Sequence, residues 1–407
     1  MQTHLSFWQQ RWQSFALFAV SFLAVSVSLG VAVVSIAKLL LLIAVIGQLI
    51  LDAKHHTFPS LQRWPSVMWW TVLAMVWMSL SGLWTEANTV NALAGWGRHS
   101  RMLWLLAVFY VLRSPAHALF TLKWFVAGMV VMLLSSWALV AGLPVPWATA
   151  TQFSAPLGIV HGSTLEQPVL LTLLATVLWF MREHWPKDRW RWVPPLILCL
   201  TVVNVFFVMT GRTGFMVMLL FITLAVWWEI PKRWRWLVVA LPFALSALMM
   251  VVSPRFQVRT NEVARDVLTY QKGSTEGSQA QRLDFWYRSW LAIQEKPLAG
   301  HGVGSWRMNY DRLGGLEANA PSNPHQQYLL WAVESGVMGM ALFLAMLLYQ
   351  FKAAQTLPKN ARQTLLTVTL ISAVMGLMNC PYFGAGMGEC LVYLAACLLA
   401  LHPNPSH

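Results

Sequence analysis

Pro321-Ser-Asn-Pro-His325-Gln-Gln-Tyr328 closes the one long hydrophilic island, roughly residues 253–327, in a chain whose other long runs are apolar. Of the 407 residues, 57% are hydrophobic and 11% charged, where soluble domains carry about 25% charged residues. Apolar runs of about twenty residues are the length of a membrane-spanning helix. The composition therefore predicts an all-α polytopic membrane protein of about twelve transmembrane helices, with the island as one large loop region containing amphipathic helices.

Working outward from the island, the membrane bundle divides into residues 1–252, with spans one to nine, and 328–407, with spans ten to twelve. Residues 253–327 between them form the candidate catalytic loop. The first span runs from Phe15 to about Leu29 and turns at Gly30 into a second, which contains Lys38. Arg98 and Arg101 open the fourth. With a cytoplasmic N-terminus, the basic short loops at 52–65 (with Lys54 and Arg63), 113–117, 182–191, 231–235 and 352–362 fall on one side, as the positive-inside rule asks. Both termini are then cytoplasmic, and the island is external, which in a bacterial inner membrane means periplasmic.

The formal net charge is +13, but the basic residues are spread through these loops and form no single patch. That pattern fits helix orientation and contact with membrane lipids, and argues against nucleic acid as a partner. Cys199, Cys380, Cys390 and Cys397 show no metal-ligand spacing; they read as packing residues, with only Cys380 and Cys390 placed for a bridge across a short external turn.

Within the island, Leu283, Trp286, Tyr287, Trp290 and Ile293 recur at helical spacing, which predicts an amphipathic helix over 278–294 lying on the outer leaflet or on the bundle. Pro297-Leu-Ala-Gly-His-Gly-Val-Gly-Ser305 then breaks it. Its glycines permit tight turns, and without a following Lys-Ser/Thr they read as structure and not as a phosphate loop.

The island's last stretch carries the candidate chemistry. Asn323 suits an N-cap and Pro324 the first helical position, which puts His325 in the first turn, where the helix dipole disfavours imidazolium. A neutral histidine there is a competent base, and the same helix start favours an anion; the same residues equally suit an interfacial histidine that caps its helix. Glu334, nine positions on, is rotated by about 180°. It predicts an ion pair, with an arginine as the natural partner, and not a dyad with His325.

Arg212, in Gly211-Arg-Thr-Gly214 at an external turn, has the geometry to hold two phosphate oxygens, or it snorkels at a helix end. Arg282 borders the apolar face of the amphipathic helix, and Arg288, six positions on, faces elsewhere. Lys38, deep in an apolar run, requires protein, water or a lipid phosphate around it. Arg98 and Arg101 are placed to meet a phosphorylated acceptor or the headgroups. Arg212, Arg282, Arg288, Lys38, Arg98 and Arg101 are thus the candidate substrate-binding residues.

The runs Gln281-Arg282-Leu-Asp-Phe-Trp286, Pro297-Leu-Ala-Gly-His-Gly-Val-Gly-Ser-Trp306, Asn323-Pro-His325-Gln-Gln-Tyr-Leu329 and Glu334-Ser-Gly336, with Thr210-Gly-Arg212-Thr-Gly214 upstream, resemble the signature of the O-antigen ligase and polymerase superfamily. The N-terminal third is similar only in topology, and Gln326 stands where an asparagine is frequent. The resemblance implies a twelve-span inner-membrane glycosyltransferase that needs no nucleotide, metal or other cofactor. It implies an undecaprenyl-diphosphate-linked O-antigen donor and, for a ligase, a lipid A-core acceptor. His325 is then the base for an acceptor hydroxyl, with Arg212 and Arg282 on the donor diphosphate. A ligase is expected; members that glycosylate pilins tend to have longer C-terminal regions than this sequence carries. The alternatives are an O-antigen polymerase and, from another class, a lipid-linked oligosaccharide transporter, which would instead place charges through the middle of its spans.

Overall fold

A computed structural model describes residues 7–59, 64–149, 151–161 and 164–402; Arg63 lies outside them. The described residues are all-helical, with no strand. α1 (Phe7–Ser26) and α2 (Val31–His55) form a hairpin turned at Gly30. α3 (Ser66–Leu80) continues in a 3-10 turn to Trp84, and α4 (Thr89–His99) follows, capped by the Asn88 side chain, which accepts the Asn91 N–H. Next come α5 (Trp104–Val111), α6 (Pro115–Val140), α7 (Gln167–Phe180) and α8 (Val193–Val203), the last ending in a π turn over Asn204–Val208. α9 (Arg212–Glu229), α10 (Arg235–Val238) and α11 (Leu241–Val252) lead to the island helices α12 (Pro254–Gln271), α13 (Ser278–Glu295) and α14 (Trp306–Arg312). α15 (Gln327–Ala354), α16 (Lys359–Gly376) and α17 (Met387–Leu399) complete the order.

By length and composition, six helical segments among the described residues are long and apolar enough to cross a membrane: Val31–His55, Ser66–Trp84, Pro115–Val140, Arg212–Glu229, Lys232–Val252 and Gln327–Ala354. Gln167–Phe180, Val193–Val208 and Met387–Leu399 are apolar but shorter. The helices differ in what surrounds them. α2 leaves Ile36, Leu39, Ile43, Ile46 and Ile50 exposed along its outer side, an apolar stripe suited to lipid. Nearly every residue of α7 and all of α17 are buried, as expected for helices apolar all round and enclosed by others. α17 packs on α5, α6 and α16, and α7 on α8, α9 and α16.

Three local expectations change. Arg98 does not open the fourth span: α4 is a separate helix, with Arg98 and His99 at its C-terminal end. The amphipathic helix forms where its period predicts, but Tyr287 and Trp290 point outward while Arg282, Phe285, Ser289 and Ala292 are buried. The polar Ser289 is tolerated there because its hydroxyl donates to Phe285 O and accepts Trp306 Nε1–H at 2.8 Å. Finally, α15 begins at Gln327 and not at Pro324. Gln326 is its N-cap, accepting the Leu329 N–H, and His325 precedes the helix with φ 51°.

α15 is interrupted at Gly336, whose φ of 69° and ψ of −175° are non-helical. The 297–305 loop fills the break: His301 N–H donates to Val333 O and Gly302 N–H to Glu334 O, both at 2.8 Å, and Val337 N–H donates to Pro297 O. This is the structural turn the glycines predict. The same loop holds the C-terminal end of α3, since Trp84 Nε1 donates to Ala299 O and Thr85 Oγ1 to Val303 O.

Candidate active site

His325 is held by its neighbours before its own side chain is considered. Asn323 Oδ1 accepts the His325 backbone N–H at 2.9 Å, and Trp286 Nε1 of α13 donates to Pro324 O at 3.1 Å. These contacts support the left-handed backbone, a region in which histidine is more common than most residues. The ring lies with Nδ1 3.2 Å from Asn379 Oδ1 and its centroid 6.2 Å from that of Phe285. Burial lowers its pKa from the ordinary value; the Asn379 contact opposes this and the charge of Arg282 adds to it. The imidazole is therefore neutral at pH 7, and burial, more than a first-turn position on a helix dipole, makes it so.

Arg282 is 8% exposed and has neither a hydrogen bond nor an ion pair among the described residues. Burial lowers its pKa and the charge of Arg212 lowers it further. Arg212 is the first residue of α9, so the positive end of that helix adds to the field. One guanidinium nitrogen, Nη2, lies 2.8 Å from Glu262 Oε2, while Nη1 is buried without a hydrogen-bond partner among the described residues. Arg212 acts on Arg282, and Arg282 acts on His325, so residues far apart in the chain share one corner. Its one carboxylate contact among the described residues is Glu262 on Arg212, and a buried unpaired cation is costly unless an anion completes it.

The other candidates divide. Arg98 donates to Ser322 Oγ and lies over the Phe383 ring, 5.0 Å from its centroid, which ties α4 to the loop carrying His325. Burial and then Arg101 lower its pKa, against the pull of Glu334. Lys38 and Arg101 meet at Glu389 of α17 instead. Lys38 Nζ is 2.9 Å from Oε1, and Arg101 Nε is 3.2 Å from the same oxygen, a charge contact without hydrogen-bond geometry. Arg288 is engaged by Asp284 Oδ1 at 3.3 Å and by Leu313 O at 2.8 Å. Glu334 has its buried partner in His99, not in an arginine.

Asn379, Glu389 and His99 were not singled out from sequence. Glu389 and His99 carried a signal, a titratable group against an apolar run that must find a partner. Asn379, in a turn between two apolar segments, carried none. Among the described residues no three His, Cys, Asp or Glu side chains gather in a way that could hold a metal ion.

Residues 197–344 match a family model described as O-antigen ligase. That match, over somewhat more than a third of the chain, supports the resemblance to the O-antigen ligase/polymerase superfamily. Members are glycosyltransferase-like enzymes of O-antigen pathways. The matched stretch contains Arg212, Arg282, Arg288 and His325, whereas Lys38, Arg98, Arg101 and Asn379 lie outside it. No curated protein matches the chain.

Proposed function

We propose that the protein is an O-antigen ligase, an inverting glycosyltransferase that moves O-antigen glycan from undecaprenyl diphosphate to a sugar hydroxyl of lipid A-core. The observation that carries this reading is the buried, unpaired guanidinium of Arg282 between Arg212 and a neutral His325. A diphosphate supplies the missing negative charge, and arginine suits it because the planar fork takes two oxygens at once. His325 takes the proton of the acceptor hydroxyl as that oxygen attacks the anomeric carbon. The bond from that carbon to the diphosphate breaks, configuration inverts, and undecaprenyl diphosphate leaves with its new charge facing Arg212 and Arg282.

Arg98, bonded to Ser322 beside the histidine loop, is assigned to the acceptor side. Lys38, Arg101 and Arg288 are engaged with Glu389 and Asp284, and we assign them to holding the bundle and the island together. The proposed setting is the bacterial inner membrane, with both termini cytoplasmic and residues 253–327 forming a periplasmic catalytic loop. In this setting the reaction draws on no nucleotide or metal.

The test is transfer by purified protein from lipid-linked O-antigen to lipid A-core in detergent, without nucleotide and with a chelator present. Product is expected from the parent and none from His325→Ala. In cells, deletion is expected to leave the core bare of O-antigen. A deletion strain that still attaches a single repeat would reassign the protein as a polymerase, and absence of transfer with intact substrate translocation would make it a transporter.

A further inference from the structure

Asn379 fixes its own side chain before it meets His325. Its Oδ1 accepts the backbone N–H of Cys380 at 2.9 Å, and its backbone oxygen accepts the N–H of Gln327, at the start of α15, at 3.1 Å. An N–H can only donate, so the atom facing Cys380 must be the amide oxygen; the flipped amide would set donor against donor. That oxygen is also 3.2 Å from Nδ1 of His325. An amide oxygen only accepts, so Nδ1 must carry the ring proton. In a neutral imidazole the lone pair is then on Nε2, which has no hydrogen-bond partner among the described residues.

From this geometry we infer that Asn379 is a positioning residue, which selects the Nδ1–H tautomer of His325 and leaves Nε2 free to accept the hydroxyl proton. The inference rests on His325 being the base. An amide in this place orients the ring without stabilising imidazolium as a carboxylate would. The surrounding charges favour the neutral ring as well. Arg282 on α13 acts on it directly, and Arg212 at the start of α9 stands behind Arg282. Arg98 of α4 is bonded to Ser322 in the same loop. Glu334 of α15 acts on Cys380 but is paired with His99. No carboxylate is hydrogen-bonded to the His325 ring among the described residues.

Two variants of the full-length protein, assayed for transfer in detergent across pH, test this. Asn379→Asp keeps an acceptor for both N–H groups, so the tautomer survives, but it adds a negative charge that favours imidazolium. Its rate at high pH is expected to stay near the parent's, while the acidic limb of kcat/KM moves up by about one pH unit or more. Asn379→Ala loses the tautomer choice, and kcat is expected to fall roughly tenfold or more with KM little changed. An acidic limb of Asn379→Asp that superimposes on the parent's overturns the inference, as does a fully active Asn379→Ala. If the alanine variant does not accumulate, the aspartate profile decides alone. His325→Ala separates the two readings: activity in that variant removes the base itself, whereas an inactive His325→Ala beside an unmoved Asn379→Asp profile removes only the role of Asn379.

Discussion

Nε2 of His99 lies 2.8 Å from Oε2 of Glu334, both side chains buried, and Trp331 and Phe383 meet the imidazole edge-on. The pair joins α4 to the turn of α15 just before its break. Removing one partner leaves the other buried alone, so Glu334→Ala is expected to cost roughly 3 kcal/mol. Glu334→Gln, which keeps a hydrogen bond, should lose less. Thermal melting in detergent checks the order; an alanine variant that melts with the parent would mean the pair contributes nothing.

The unpaired Arg282 predicts opposite effects on stability and rate. Arg282→Met removes a buried uncompensated charge and keeps the length of the chain, so the melting temperature is expected to rise while transfer falls about 100- to 1000-fold. Inorganic pyrophosphate should raise the melting temperature of the parent and not of the variant. Equal pyrophosphate shifts in both proteins would show that the anion binds elsewhere.

The pH profile follows from the direction of the His325 shift. Its folded pKa lies below the ordinary 6.5, so the neutral base predominates at pH 7, and the acidic limb of kcat/KM is expected below that of an ordinary histidine. Since the folded ring binds fewer protons than the unfolded one, stability should also decline as pH drops through 6.5. A profile still rising between pH 7 and 8 would contradict a depressed base.

Glu86 predicts a second acid effect, away from the chemistry. Burial works against its charge, but hydrogen bonds from Lys296, His301 and Asn309 hold its pKa at about 2, below the ordinary 4.5. The folded state therefore binds fewer protons than the unfolded one in that window. The contribution is complete above pH 4.5 and is lost as pH falls toward 2. Melting curves of Glu86→Gln should lack this part of the acid slope, and identical slopes in the two proteins would refute it.

Gly336→Ala tests the break in α15. A methyl group there would approach Leu298 O to 2.0 Å at a φ of +69°, so a loss of roughly 2–3 kcal/mol is expected, with the 297–305 loop freed from α15. Protease sensitivity of the loop in the variant is the readout, and an unchanged digestion pattern would show that the break does not depend on glycine.

Several elements were legible because their causes are local. The apolar runs predict helices at the positions where α2, α3, α6, α9 and α15 form, since transfer of a side chain from water depends mainly on that side chain. The period over 278–294 predicts α13, and the glycines of 297–305 predict a turn. The face of α13 that is buried was not legible, because Ser289 becomes acceptable inside only once Trp306 reaches it from α14. The start of α15 lies at Gln327 for a similar reason: Asn323, Trp286 and Asn379 hold His325 out of the helix, and Trp286 and Asn379 reach it from distant parts of the chain.

By itself, then, the sequence determined a membrane-helical chain, an interrupting polar island and the residue types able to handle a proton and a diphosphate. Only the tertiary structure decided which charges are already matched. Lys38 finds Glu389 across 351 positions and Glu334 finds His99, while Arg282 is left beside Arg212 without an acid among the described residues. The physical reason is that a charge's role depends on what stands within a few ångströms of it, and helix packing sets that distance, not spacing along the chain.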